Sequence, residues 1–121
     1  MTEPRPAYSH AFWWAMFSQG GMIAAILVPV TILLSGILGP LGVVPYLDGN
    51  YRWFSAFVAN PLGKLYLFVL ISLPTVHTAH RFHFWVHHVG IRGGRRVIPY
   101  LSYATAVLIT LAAAIVLITT P

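Results

Sequence analysis

The chain, 121 residues long, runs from Phe12 to Leu38 without one charged side chain, and does so again from Val97 to Thr120. A helix crosses a bilayer core of about 30 Å in about 20 residues, at about 1.5 Å per residue. Both stretches meet that length, and a third apolar run lies between Pro61 and His87. A water-soluble domain carries about 25% charged residues; here 7% are charged and 58% hydrophobic. The runs are longer than barrel strands and do not alternate polar with apolar positions, so helix is the spanning element. The expected fold is an all-α integral membrane protein, one anchor domain over residues 1–121 with three transmembrane helices near 12–38, 61–87 and 97–120. Membrane lipid is then its first partner, and three spans leave no room for a soluble catalytic domain.

Local signals mark the ends of the spans. Gly39, Pro40, Gly42 and Pro45 close the first and open a loop containing Asp48–Gly49–Asn50. Asn60 followed by Pro61 is a capping residue before a proline at a helix's first position. Gly90 and Gly93–Gly94 end the second span, the latter pair within the basic stretch Arg92–Arg96. Pro29 and Pro74, mid-span, are expected to kink their helices. The first span exceeds the apolar region of a signal peptide and reads as a retained helix.

Charge reports orientation. Arg5, Arg92, Arg95 and Arg96, with Arg81 close by, lie on one side; Arg52, Lys64 and Asp48 lie on the other. Positive charge collects in the cytoplasm, which places the N-terminus and the 89–97 connector there and the C-terminus outside. The net charge of +5 therefore reflects topology, and no nucleic-acid partner is expected. With no cysteine, disulfides, thiolate-held iron–sulfur clusters, c-type haem attachment and sulfur-based zinc sites are excluded.

Five of the six histidines fall between His77 and His88. On a helix, His77, His80, Arg81, His83, Phe84, His87 and His88 share an arc of about 160°. A protonatable stripe on an apolar helix is costly unless it faces protein, water or a ligand. Four readings fit it. An interfacial belt accounts for His87 and His88. A b-type haem takes axial histidines from two helices, and here five histidines share one, so this chain could give only one ligand. A metal or proton path lacks a buried carboxylate, because Glu3 and Asp48 are the only acidic residues and both lie outside the spans. A quinone pocket needs hydrogen-bond donors and a proton acceptor near the membrane surface. His80, Arg81 and an indole from Trp14 or Trp13 meet that need, with His77 and His83 as weaker candidates.

Small residues at helical spacing, Gly21 and Ala25 on the first span and Ser102, Ala106, Thr110 and Ala114 on the third, mark close helix contacts. The contact is either within the chain or with another subunit.

The blocks Trp14–Met22, Pro29–Gly42, Leu73–Pro74 and His80–His83 occur in the order and spacing of the D-subunit of four-subunit fumarate reductases, the smaller of their two membrane anchors. This chain resembles that family from about residue 12 to residue 88. The resemblance implies a membrane anchor that is not catalytic alone. It implies partners: a flavoprotein carrying FAD, an iron–sulfur subunit and a second, larger anchor (the C-subunit of such enzymes). The two anchors would form a quinol site at their interface. By position in the blocks, Trp14 and Arg81 would line it, with His80 beside the arginine, and the carboxylate that takes quinol protons would come from the larger anchor. Such enzymes lack haem, and a low-potential menaquinone suits fumarate reduction. The location implied is the bacterial cytoplasmic membrane. Two alternatives stand beside it: a succinate dehydrogenase anchor, and a stand-alone small membrane protein binding haem or metal through its histidines.

Overall fold

The structure, a computed structural model, describes residues 8–45, 51–90, 93 and 97–121, apart from the side chains of residues 8–10, 13 and 87. Among the described residues four α-helices follow in order: α1 (Tyr8–Ile32), α2 (Tyr51–Ala59), α3 (Pro61–His88) and α4 (Val97–Thr119). A π-helical segment, Leu33–Leu38, extends α1. Trp14–Leu38, Pro61–Val86 and Val97–Thr119 are each long and apolar enough to span a membrane. The chain is thus an all-α multi-pass membrane protein. The first helix begins at Tyr8, earlier than the expected Phe12, and the loop before Pro61 contains the unexpected helix α2.

Helix α3 is the centre of the bundle and runs antiparallel to both long neighbours. Phe17 meets His77 and Thr31 meets Tyr66 on the α1 side. His80 meets Tyr103 and Lys64 meets Thr120 on the α4 side. Asn60 caps α3 as its sequence predicts, its side-chain oxygen accepting the Leu62 amide at 2.9 Å. At the same end, the Lys64 ammonium donates to the Thr120 carbonyl at 2.6 Å, placing a cation at the C-terminus of α4. Helix α2 folds back on the start of α3. A β-carbon on Gly63 would overlap the Phe57 carbonyl oxygen, so only glycine permits that corner. Trp53 stacks on Phe57 at 5.8 Å, and Phe57 meets Tyr66 edge-on at 6.0 Å.

The π-helical segment keeps its backbone paired. Gly39 donates to Leu34 and Val43 to Leu38, both at 2.9 Å and both five residues apart. The Thr31 and Ser35 hydroxyls donate to the carbonyls of Leu27 and Thr31 at 2.7 and 2.6 Å. In lipid an unpaired carbonyl is costly, and such hydroxyls help satisfy a turn that departs from α geometry.

Burial is sparse, as lipid allows. Among the described residues the buried apolar side chains are Val58, Ala79, Val86, Ala106 and Leu117, while Leu108 (67%) and Ile118 (79%) face outward. Small residues set the helix contacts. A β-carbon on Gly20 would lie 2.5 Å from the Leu73 carbonyl oxygen and 2.9 Å from His77 Cβ; one on Gly21 would lie 2.8 Å from His77 Cε1. Ala106 lines the α3–α4 groove with Ala79. Gly21 and Ala106 therefore pack within this chain, whereas Ala25 remains exposed.

Gly20→Ala must push α1 off α3, because the obstructing atoms are backbone and a β-carbon. Overpacking of this kind costs about 1–3 kcal/mol. Detergent-titration unfolding of the purified chain should show that loss; wild-type stability would mean that the two helices do not approach here.

Candidate functional site

The histidine stripe does not act as one surface. Position on α3 divides it into an inner cluster, held by α1 and α4, and an outer groove.

The inner cluster is centred on Phe17. Its ring stacks on His77 at 4.4 Å with 7° between planes, lies 4.4 Å from His80 and 5.5 Å from Trp14. His77 Nδ1 is 2.9 Å from the Phe17 carbonyl oxygen. A carbonyl only accepts, so Nδ1 carries the proton and donates. Gly20 and Gly21 make this clasp possible by leaving no side chain where the imidazole lies. His80 sits between all three long helices. Its Nδ1 is 2.5 Å from the Tyr103 hydroxyl of α4, and its ring is 4.9 Å from Phe84. His83 is half-buried, its ring 5.0 Å from Phe84.

The outer groove contains Arg81. The residue is exposed, and Thr78, Phe82, Phe84, Trp85 and His88 line the groove around it, with a volume of about 460 Å³. Arg81 makes no hydrogen bond or ion pair with the described residues, and the sequence offers no carboxylate within the spans. His88 Nδ1 donates to the Phe84 carbonyl at 2.9 Å near the helix end. Gly90, at φ +81°, then turns the chain out of α3.

Of the residues singled out in the sequence, Trp14, His77 and His80 meet around Phe17, and Arg81 lies on the adjoining face. No hydrogen bond or ring contact joins Trp14 to Arg81; Trp14 is 60% exposed and touches the cluster through Phe17. Trp13 lies outside the described side chains. Two members of the cluster, Phe17 and Tyr103, are absent from the sequence-based set. Phe17 carries a signal, since it sits one helical turn from Trp14 and beside the Gly20–Gly21 pair. Tyr103 carries none beyond its membrane-surface depth. Among the described residues, no three His, Cys, Asp or Glu side chains converge as metal ligands.

The family model for the D-subunit of fumarate reductase matches residues 6–118 of this sequence. The chain belongs to the fumarate reductase D-subunit family. The fumarate reductase D-subunit of Shewanella sp. (strain W3-18-1) is 39% identical over 103 residues, which is 85% of this chain and 84% of that protein. The corresponding protein of Aliivibrio salmonicida is 41% identical over 102 residues, 81% of each chain. That of Mycobacterium tuberculosis (strain ATCC 25177 / H37Ra) is 44% identical over 100 residues, 80% of this chain and 77% of its own. Members of this family are membrane subunits of a multisubunit oxidoreductase, and the three long apolar helices fit that role.

Within this fumarate reductase anchor, His77 holds α1 to α3 through one hydrogen bond and one ring stack. His77→Leu removes both, at a cost of about 1–2 kcal/mol. The expected result is a lower unfolding midpoint; unchanged stability would show that the clasp contributes nothing.

Proposed function

We propose that this protein anchors the soluble flavoprotein and iron–sulfur subunits of a fumarate reductase to the bacterial cytoplasmic membrane. With the second, larger anchor it forms the site where menaquinol is oxidised. It performs no chemistry alone; FAD and the iron–sulfur clusters belong to its partners. The N-terminus and the connector after α3 face the cytoplasm, and the C-terminus faces outward, as the excess of arginine on the first side requires.

One observation carries the quinol assignment: an exposed Arg81, unpaired among the described residues, in a groove on an apolar helix whose chain has no carboxylate in its spans. A guanidinium at that depth is energetically unfavourable and calls for a partner or a polar ligand. A quinone head group offers carbonyl oxygens that accept charge-assisted hydrogen bonds. When the quinol loses its first proton, the same cation stabilises the oxygen anion that forms. From the inner cluster, His80 supplies a second polar group and Trp14 an exposed aromatic face for the ring. His77 and His83 are the weaker members of the set, His77 being committed to Phe17. The adjoining apolar surface suits the rest of the molecule. Thr78 and Phe82 line both the Arg81 groove and the apolar groove between α3 and α4, so a head group at one leads to a hydrocarbon track in the other. The acceptor for quinol protons beyond this chain is a carboxylate of the larger anchor.

Arg81→Leu tests the assignment in the assembled enzyme. Fumarate reduction driven by menaquinol should fall about tenfold or more. Reduction driven by a soluble viologen donor, which needs only the flavoprotein and iron–sulfur subunits, should hold at the wild-type rate. Unchanged quinol kinetics would remove Arg81 from the site.

A further inference from the structure

Resting on the quinol assignment above, we infer that Tyr103 of α4 is a positioning residue that fixes the orientation of the His80 ring and so leaves Nε2 for a quinol hydroxyl. The motivating contact is the 2.5 Å hydrogen bond between His80 Nδ1 and the Tyr103 oxygen, which joins the cluster to a helix that supplies none of its other members. With Nδ1 engaged there and the ring confined by Phe17 at 4.4 Å and Phe84 at 4.9 Å, Nε2 is the only polar atom of the His80 ring left for a ligand.

Two proton arrangements satisfy that contact. If the phenol donates to Nδ1, then Nε2 carries a proton and His80 cannot take one from a quinol. If Nδ1–H donates to the phenol oxygen, Nε2 presents a lone pair. The second arrangement serves quinol oxidation. The quinol O–H donates to Nε2; as oxidation proceeds the O–H bond breaks and an N–H bond forms. The electron pair of the O–H bond stays with the quinol oxygen, and the electrons lost by the quinol pass to the iron–sulfur subunit. His80 becomes imidazolium, and its new Nε2–H then faces a quinone carbonyl, which accepts. Through both states the Tyr103 oxygen accepts Nδ1–H, so the ring need not turn between substrate and product. The hydroxyl thus acts through His80 and never touches the substrate.

Tyr103→Phe deletes one oxygen and keeps the ring that packs beside His80. In the assembled enzyme, the menaquinol-dependent kcat should fall about fivefold to tenfold, with a smaller change in KM, as expected for one lost hydrogen bond that orients a group. Viologen-driven fumarate reduction should be unchanged, which controls for assembly. In a double-mutant cycle, His80→Ala with Tyr103→Phe should be no slower than His80→Ala alone, because the hydroxyl acts only through the imidazole. Wild-type kcat in Tyr103→Phe, a change confined to KM, or a loss additive with that of His80→Ala would each overturn the inference. If His80→Ala and Arg81→Leu slow the quinol reaction while Tyr103→Phe does not, the positioning role alone fails. If neither of those two variants affects it, the quinol assignment fails, and the role of Tyr103 with it.

Discussion

Helices in lipid gain little from hiding apolar surface from one another, so their packing rests on close approach and on a few polar contacts. In this chain both meet at Gly20–Gly21. The absence of two side chains lets α3 lie against α1 with the Leu73 carbonyl and the His77 ring where β-carbons would be. The His77 imidazole then reaches the Phe17 carbonyl, and Phe17 in turn brings Trp14 toward His80. Separate the two helices, and the inner cluster has no centre. A structural clasp and a candidate site thus share one ring.

Electrostatics divides what periodicity groups together. His77 and Arg81 lie about 40° apart on α3, yet one is committed to a backbone carbonyl of α1 and the other lies in an outer groove. Among the described residues, the His77 and His80 rings lie against this chain's own helices, whereas the Arg81 cation makes no ion pair with them. That distribution suits one member of a multisubunit complex, the setting of the D-subunit family. The opposite end differs, for there the Lys64 cation is held within the chain by the Thr120 carbonyl just after α4.

Much of the fold is legible in the sequence because long uncharged runs have one solution in a bilayer. The three spans, the Asn60–Pro61 start and the glycine-marked ends follow from local chemistry. Helix α2 is harder to read, being short and interrupted by Arg52, although Phe54, Phe57 and Val58 carry a helical spacing. The site is legible only in part. A periodic stripe gives an angle around α3 but does not say which neighbour lies at that angle. Trp14, His80 and Arg81 can be named as candidates, whereas the separation of His77 from Arg81 and the pairing of His80 with Tyr103 depend on how three helices pack. Small-residue spacing likewise marks close contact without saying with whom; Gly21 and Ala106 face this chain's own α3.

On the reading proposed above, a quinone head group lies between the Trp14–Phe17 turn of α1 and the His80–Trp85 segment of α3. A photoreactive menaquinone analogue, cross-linked to the assembled complex and mapped by peptide mass spectrometry, reports that position without relying on turnover. Both segments should be labelled, and the label should disappear when excess unmodified menaquinone competes. Labelling confined to other parts of the complex, or insensitive to competition, would place the quinol elsewhere and refute the assignment.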